Sequence, residues 1–190
     1  MKRLVVVSGI AAMALVTLSF LAGPDPGFTG APDEQNCTNS GCHTSFKLNP
    51  DSDGQLSVTG VPEVYTPGMQ YSLTLSLMHP TAKTWGFQIT AVDSKGDPIG
   101  KFVITDQKNT QIVEGGGPRE NRSYVEHTEA GNAANKTGGN SWTFAWVAPD
   151  SNVGNASFYA CANAANGDEK PIGDRIYTKS PSPVAVAKAP

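Results

Sequence analysis

Apolar and polar residues alternate along most of the chain from residue 55 to residue 179. In residues 71–77, a tyrosine and three leucines would share one face of a strand, and residues 87–91 and 142–146 repeat the pattern. Such alternation is typical of strands that bury one face, and Gly, Pro, Asn and Asp separate the segments as they do in turns. The pattern predicts an all-β fold, an antiparallel sandwich of the immunoglobulin kind, with the aromatic strand at 142–146 in its core.

The first 23 residues differ from the rest and predict export. Lys2 and Arg3 precede an uncharged apolar run over residues 4–21, which the small residues Ala22 and Gly23 follow. This order is typical of a cleaved signal peptide, here residues 1–23. The alternative is an uncleaved membrane anchor, because about 18 apolar residues can just span a bilayer. Cleavage near Gly23 is favoured, since small residues interrupt the run and a segment rich in Gly and Pro follows it.

The rest of the chain divides into three parts. Residues 24–54, which we call the lead-in, have no alternating pattern to bury, and we expect a loop-rich segment that packs against the sandwich. Residues 55–179 are the predicted sandwich domain. Residues 180–190 are rich in Pro and Ala, and we expect a disordered tail without a membrane anchor.

Charge narrows the class of partner. The chain has 14 basic and 17 acidic residues, and two of the basic residues lie in the leader, so 12 basic residues remain against 17 acidic ones. An acidic excess disfavours nucleic acid, whose phosphates attract basic proteins. We expect a periplasmic, secreted or surface protein that keeps no stable membrane anchor once the leader is removed.

Two cysteines and a histidine form the strongest chemical signal in the chain. Cys37 and Cys42 are separated by four residues, and His43 directly follows the second cysteine. Attachment of a c-type haem uses two thiols, which add to its vinyl groups, and a histidine next to the second thiol as the proximal iron ligand. The usual separation is two residues, so the longer loop weakens the motif, although Gly41 gives the backbone freedom to form it. The cluster predicts one covalently attached haem c.

Other interpretations of the cluster stay open. A Cys37–Cys42 disulfide is chemically reasonable in an exported protein. A zinc site would need more thiol and imidazole ligands than three cysteines and three histidines readily supply. A copper site that uses Cys42, His43 and a methionine is conceivable. The third cysteine, Cys161, follows Tyr159 on a predicted strand, and we expect a buried thiol that fills core space.

A low-spin haem needs a second axial ligand, and the sequence offers several candidates. His127 ranks first, because it shares a strand face with Val125 and its ring would point toward a covered pocket. His79, at the end of an apolar strand, ranks second, and Met78 ranks third ahead of Met69. An ordinary packing role is the alternative for each, since backbone groups can satisfy a buried imidazole and methionines commonly fill gaps.

Short motifs outside the cluster resemble bacterial reeler-like proteins, also called choice-of-anchor V proteins. These motifs are FTGAP at 28–32, YTPG at 65–68, WGFQ at 85–88, YVEH at 124–127, SWTF at 141–144, FY at 158–159, NAANGD at 163–168 and GDRIY at 173–177. The resemblance covers most of residues 28–178. It implies an immunoglobulin-like, reeler-type sandwich preceded by a haem-attachment motif, and it implies no reaction. This chain differs from the pattern in lacking a C-terminal anchor or sorting segment.

Three functional hypotheses follow, and the first two come from different classes of protein. The first is an exported monohaem c-type cytochrome that transfers electrons to an unidentified redox protein and is not an enzyme. In this hypothesis Cys37 and Cys42 hold the haem, and His43 is the proximal iron ligand. The alternative is an extracellular adhesion or binding module with a Cys37–Cys42 disulfide and no redox role. A haem enzyme or sensor with an open iron site is a third hypothesis, should no sixth ligand bind.

Overall fold

The computed structural model describes residues 23–39, 41–50, 52–116, 119–179 and 184–186. The predicted signal peptide therefore lies outside the described residues, apart from Gly23. Across the described ranges, no helix is long and apolar enough to cross a membrane. One short 3-10 helix covers Ala130–Asn132. The strands are β1 (Gln55–Thr59), β2 (Val64–Tyr65), β3 (Gln70–His79), β4 (Thr84–Val92), β5 (Lys101–Val103), β6 (Thr110–Glu114), β7 (Ser123–His127), β8 (Gly138–Val147), β9 (Ser157–Ala165), β10 (Arg175–Lys179) and β11 (Ala185–Val186).

Two antiparallel sheets face each other across one core. The strands of the four-stranded sheet follow the order β1-β3-β8-β5, and those of the five-stranded sheet the order β10-β9-β4-β7-β6. The longest pairings join strands far apart in the sequence, because β3 pairs with β8 and β4 pairs with β9 along their whole lengths. The prediction of an all-β antiparallel sandwich is confirmed.

The alternating residues supply the core between the sheets. The predicted aromatic strand is β8, which lies between β3 and β5, and its residues Trp142, Phe144 and Trp146 are fully buried. The Phe87 ring of β4 lies 4.6 Å from the Trp142 ring and 6.0 Å from the Phe144 ring, between centroids. Offset aromatic pairs at such distances stabilise a core beyond the area they bury. The period of two in the sequence therefore specifies which face of each strand turns inward.

Part of the predicted disordered tail is ordered. The structure describes residues 184–186 of the predicted tail at 180–190, and Ala185 and Val186 pair in parallel with β2. Val184 is buried and exchanges two backbone hydrogen bonds with Ala156. The prediction is therefore wrong for these three residues, because backbone pairing and the burial of one valine outweigh a composition that favours disorder.

The lead-in crosses the outer face of the five-stranded sheet. The core residues of β4 and β9 alternate with Gln88, Cys161 and Asn163, which point away from the core. Gln88 binds backbone groups of the lead-in, Cys161 contacts Cys37, and Asn163 contacts His43. The lead-in thus covers polar side chains on this face and brings the predicted cofactor residues to β9.

A buried ion pair fastens the middle of the lead-in. Arg122 Nη1 lies 2.6 Å from Glu34 Oε1, with 7% of the arginine side chain and none of the glutamate side chain exposed (0%). Arg122 also donates to the carbonyl oxygens of Pro32 and Gly96, at 2.9 and 3.1 Å. The Tyr124 hydroxyl donates to Glu34 Oε1 at 2.7 Å. Each charge is therefore both paired and hydrogen bonded, which burial of charges requires.

Replacing Glu34 with alanine leaves the Arg122 guanidinium buried without a counter-ion. We expect Glu34→Ala to lower the free energy of unfolding by about 3–5 kcal/mol, measured by urea denaturation. The exposed Glu63 serves as the control, and Glu63→Gln should change this free energy by less than about 0.5 kcal/mol. A loss no larger than that of the control would show that the ion pair does not fasten the lead-in.

Candidate cofactor site

A series of turns carries the predicted cofactor residues. Asn36 begins it, and its side-chain Oδ1 accepts a hydrogen bond of 2.9 Å from the backbone N–H of Thr38. The backbone N–H of His43 then donates to the carbonyl oxygen of Cys37 at 3.4 Å. Gly41 has a φ of +77°, a left-handed conformation that favours glycine. The backbone freedom predicted for Gly41 is therefore used in a turn that a residue with a side chain would adopt less readily.

Cys37 faces a cysteine on the sheet. Its Sγ lies 3.2 Å from Sγ of Cys161, which is fully buried on β9. Of the described residues, Cys37, Cys42 and Cys161 all carry thiols rather than disulfides. The contact with Cys161, together with burial, raises the pKa of the Cys37 thiol well above its usual value. Cys42, by contrast, is exposed.

His43 is held by a buried carboxylate. Its Nδ1 lies 2.9 Å from Oδ2 of Asp174, whose side chain is 4% exposed, whereas the imidazole is 25% exposed. Asn163 Nδ2 donates to the same carboxylate oxygen at 3.2 Å, and the backbone N–H of Asn166 donates to Oδ1 at 3.1 Å. A carboxylate at Nδ1 accepts a hydrogen bond from the N–H of that nitrogen, so that a neutral imidazole has its free lone pair on Nε2. This is the tautomer in which histidine binds a metal through Nε2.

Sequence reasoning missed three residues that complete this arrangement: Cys161 and Asn163 on β9, and Asp174 directly before β10. Cys161 was expected to fill core space, yet it points to the opposite face of β9 from the core residues Ala160 and Ala162. The alternation along β9 could have shown this orientation. Asp174 had a weaker signal, because it lies in the GDRIY motif but nothing in the sequence connects it to His43.

Two exposed apolar side chains lie close in sequence to His43 and Asp174. Phe46, three residues after His43, is 39% exposed, and its ring packs against the Arg175 guanidinium at 4.4 Å. Ile172 is 69% exposed and comes shortly before Asp174. Large exposed apolar side chains beside polar groups are typical of a surface that contacts another molecule.

The donor set fits haem c in kind, with two thiols and an imidazole in the required order. His43 is presented in the right tautomer, and the Cys42 thiol is accessible. Cys37 is accessible to the same group only if its thiol leaves Cys161. No group of three His, Cys, Asp or Glu within the described residues is placed to hold a metal ion, so the zinc and copper alternatives gain no support.

The two histidines predicted as distal ligands make hydrogen bonds within the fold, and the predicted methionine is exposed. His127 is buried, which lowers its pKa to about 4, and its Nδ1 accepts a hydrogen bond of 3.2 Å from the Phe87 N–H. His79 is buried at the end of β3, where its Nδ1 accepts from the backbone N–H of Thr81 at 3.3 Å. Met78 is 55% exposed. The distal assignment stays a prediction.

One glycine connects the two predicted axial histidines. A Cβ on Gly86 of β4 would lie 2.9 Å from Cε1 of His127, so the ring packs where Gly86 has no side chain. Gly86 pairs with Asn163 across β4 and β9, and Asn163 Nδ2 lies 3.5 Å from His43 Nδ1. Neighbouring strands are about 4.8 Å apart. The His127 ring therefore contacts β4, and His43 contacts the neighbouring strand β9.

Comparison with known proteins identifies the fold. The model of the Reeler domain matches residues 35–165. The crystal structure of the human F-spondin reeler domain is 21% identical in sequence, covers 75% of this chain and 96% of that chain, and has a TM-score of 0.51. The crystal structure of the Reelin-N domain of F-spondin is also 21% identical, covers 77% and 95% of the two chains, and has a TM-score of 0.52. No curated protein matches the chain. These likenesses confirm the immunoglobulin-like, reeler-type sandwich.

The three cysteines should differ in reactivity. In reduced protein that carries no cofactor, we expect iodoacetamide to alkylate Cys42 at least about tenfold faster than Cys37 or Cys161, because thiolate character and exposure control the rate. Mass spectrometry of the peptides at successive times measures the three rates. In denaturant the rates should become similar, which is the control. Equal rates in the native protein would contradict the packing of Cys37 against Cys161.

Proposed function

We propose that this chain, which belongs to the Reeler domain family, is an exported monohaem c-type cytochrome that passes electrons to a separate redox protein. The Reeler domain is an extracellular type of β module. We place the mature protein in the periplasm or outside the cell, because the leader predicts export. The family match specifies no reaction, so the proposal depends on the residues of the lead-in.

The pairing of His43 with Asp174 carries the proposal. A histidine that binds a metal usually donates its other ring N–H to a carboxylate or a carbonyl, which fixes the tautomer and increases the basicity of the ligating nitrogen. The Nδ1 to Oδ2 distance of 2.9 Å and the burial of Asp174 match this arrangement. Asp174 is thus a positioning residue, and His43 would be the proximal ligand.

Cys37 and Cys42 would attach the group covalently. Each thiol adds across one vinyl group, so that the sulfur bonds to the carbon next to the porphyrin and the thiol hydrogen is transferred to the terminal carbon. The addition needs no oxidant, but both cysteines must be reduced. Haem c bound in this way supplies a one-electron iron couple, whose potential the axial ligands and burial adjust.

The charge of the mature chain favours a basic partner. The excess of acidic over basic residues after leader removal gives the protein a negative field at neutral pH. Complementary charge steers two proteins into productive encounters and matters most for brief contacts such as electron transfer. We therefore propose a redox protein with a basic surface as the partner.

The thiol pair on β9 favours a second candidate function. If Cys37 and Cys161 lose two electrons and two protons to a thiol oxidase of the exported compartment, they form a disulfide that ties the lead-in to the sheet. The 3.2 Å contact between their sulfur atoms favours this pairing over the predicted Cys37–Cys42 disulfide. Cys37 would then be unavailable for a thioether, and the chain would be an extracellular binding or adhesion module without a redox role.

Covalent haem distinguishes the two functions. We expect protein exported from a host with a haem-attachment system to carry one haem per chain that resists acid–organic extraction. In alkaline pyridine, Cys42→Ser should shift the α-band to longer wavelength, because one vinyl group stays conjugated with the ring. Cys161→Ser is the matched control and should keep the wild-type spectrum. Colourless protein with a mapped disulfide at Cys37 would contradict the cytochrome and support the binding module.

His127 is the first choice for the distal ligand, because it lies across a single strand pair from His43. To bind iron, its ring would exchange the hydrogen bond from Phe87 for the metal. We expect His127→Ala to convert a low-spin iron into a high-spin one, since the loss of a strong sixth ligand weakens the ligand field. Low-temperature spin resonance and near-infrared spectra measure the change, with His79→Ala and Met78→Ala as comparisons. A low-spin spectrum that survives in His127→Ala and is lost in either comparison variant would refute the assignment.

A further inference from the structure

Glu126 is a buried carboxylate that is satisfied on one side only. It lies on β7 and is fully buried by the lead-in and its neighbours. Its Oε1 accepts a hydrogen bond of 2.7 Å from Gln88 Nε2. Its Oε2 has no hydrogen-bond partner among the residues that the structure describes. Burial, and to a smaller extent the charge of Asp25, raises the pKa of Glu126 to about 8, and a buried oxygen without a hydrogen-bond partner is costly. This oxygen therefore calls for a cationic donor, which the described side chains do not supply.

Gly23 lies against the unsatisfied oxygen. A Cβ on Gly23 would be 2.8 Å from Glu126 Oε2, 2.9 Å from Gln111 Nε2 and 3.0 Å from the carbonyl oxygen of His127. Its φ is +112°, which other residues rarely adopt. The space around Gly23 therefore excludes a side chain and is lined by polar atoms, two of which are hydrogen-bond acceptors.

Gln88 keeps Gly23 in this place. Its Oε1 accepts hydrogen bonds from the backbone N–H groups of Gly27 and Phe28, at 3.0 and 2.7 Å. Its Nε2 donates to the carbonyl oxygen of Asp25 at 2.9 Å as well as to Glu126. One buried glutamine thus joins the start of the lead-in to the carboxylate. Pro24, which lies between the clamped residues and Gly23, restricts the backbone further.

The predicted leader is residues 1–23, and cleavage one residue before its predicted end, between Ala22 and Gly23, makes Gly23 the first residue of the mature chain. Hydrolysis of the peptide bond before Gly23 by a signal peptidase adds one water, which leaves a carboxylate on the leader and an amine on Gly23. That amine takes up a proton at neutral pH and gains a positive charge and three N–H donors. In the uncleaved chain the same nitrogen is an uncharged amide with a single N–H. Cleavage at this bond therefore creates a cationic donor one covalent bond from the Gly23 Cα.

We propose that Glu126 is the internal counter-ion of the mature N-terminus, and that its Oε2 pairs with the α-ammonium group of Gly23 once the leader is removed. The carbonyl oxygen of His127 accepts a second N–H of the same group. Leader removal then fastens the start of the lead-in to the sheet, as Glu34 and Arg122 fasten its middle. The inference rests on cleavage between Ala22 and Gly23 and is independent of the haem proposal.

The test begins with the start of the exported chain. Intact-mass measurement and N-terminal sequencing should find Gly23 as the first residue. The rate at which an amine-reactive acetylating reagent modifies the α-amine is then compared with the rates of exposed lysines in the same protein. We expect the wild-type α-amine to react at least about tenfold more slowly than that of Glu126→Gln, because a charge-assisted hydrogen bond to a buried carboxylate holds it. The lysine rates should not change, and Glu129→Gln, at an exposed neighbouring position, should react like the wild type.

A second variant keeps the proposal testable if Glu126→Gln does not fold. Gly23→Ala retains the carboxylate but adds a Cβ that would collide with Oε2, so the α-amine should be displaced and react faster, by a similar factor. Circular dichroism verifies that the sandwich is intact. A mature chain that begins elsewhere, or an α-amine that reacts equally fast in the wild type and in a folded variant, would overturn the proposal.

Discussion

The outer face of the five-stranded sheet carries polar groups that must find partners, and this constraint shapes the rest of the molecule. Gln88, Glu126 and Asn163 lie on strands whose other face is core, and Arg122 lies just before one of them. Left in a dry environment without partners, such groups would cost several kcal/mol each on the scale of about 2–7 kcal/mol for an unpaired polar group. The lead-in supplies partners for Gln88 and Arg122 with its backbone and with Glu34. It is therefore a part of the fold, although its composition resembles that of a linker.

This constraint also gives the candidate chemistry a fixed place. Because Gln88 and Arg122 determine the course of the lead-in, Cys37 reaches β9 beside Cys161 and His43 reaches Asp174. The histidine gains from this position, since the carboxylate sets its tautomer. For Cys37 the same position favours a competing reaction, because Cys161 can form a disulfide with it in an oxidising compartment. The two functional hypotheses therefore differ in whether the Cys37 thiol forms a thioether to haem or a disulfide with Cys161.

Local pattern was sufficient for the strands and insufficient for the site. The alternation in β3, β4 and β8 depends on residues within one strand, so it can be read from a short window. The partners in the site are remote: Cys37 and Cys161 are 124 residues apart, and His43 and Asn163 are 120 residues apart. No local period connects them, because sheet order and the course of the lead-in decide which side chains meet. The ordered residues 184–186 show the same limit, since composition does not reveal that β2 offers a free edge to pair with.

The contact of Cys37 with Cys161 implies an order of events in the proposed cytochrome. The Cys37 thiol must leave its contact with the fully buried Cys161 before it can form a thioether, and the docked lead-in holds it in that contact. Attachment would therefore precede docking of the lead-in, at a stage when Cys37 and Cys42 are both exposed and reduced. Docking would then bring His43 to Asp174 and bury the contacts of Glu34 with Arg122. In the binding module the order is reversed, because Cys37 and Cys161 meet only after the lead-in has docked. Haem attachment would thus occur before the lead-in docks on the sheet, and the Cys37–Cys161 disulfide would form after it.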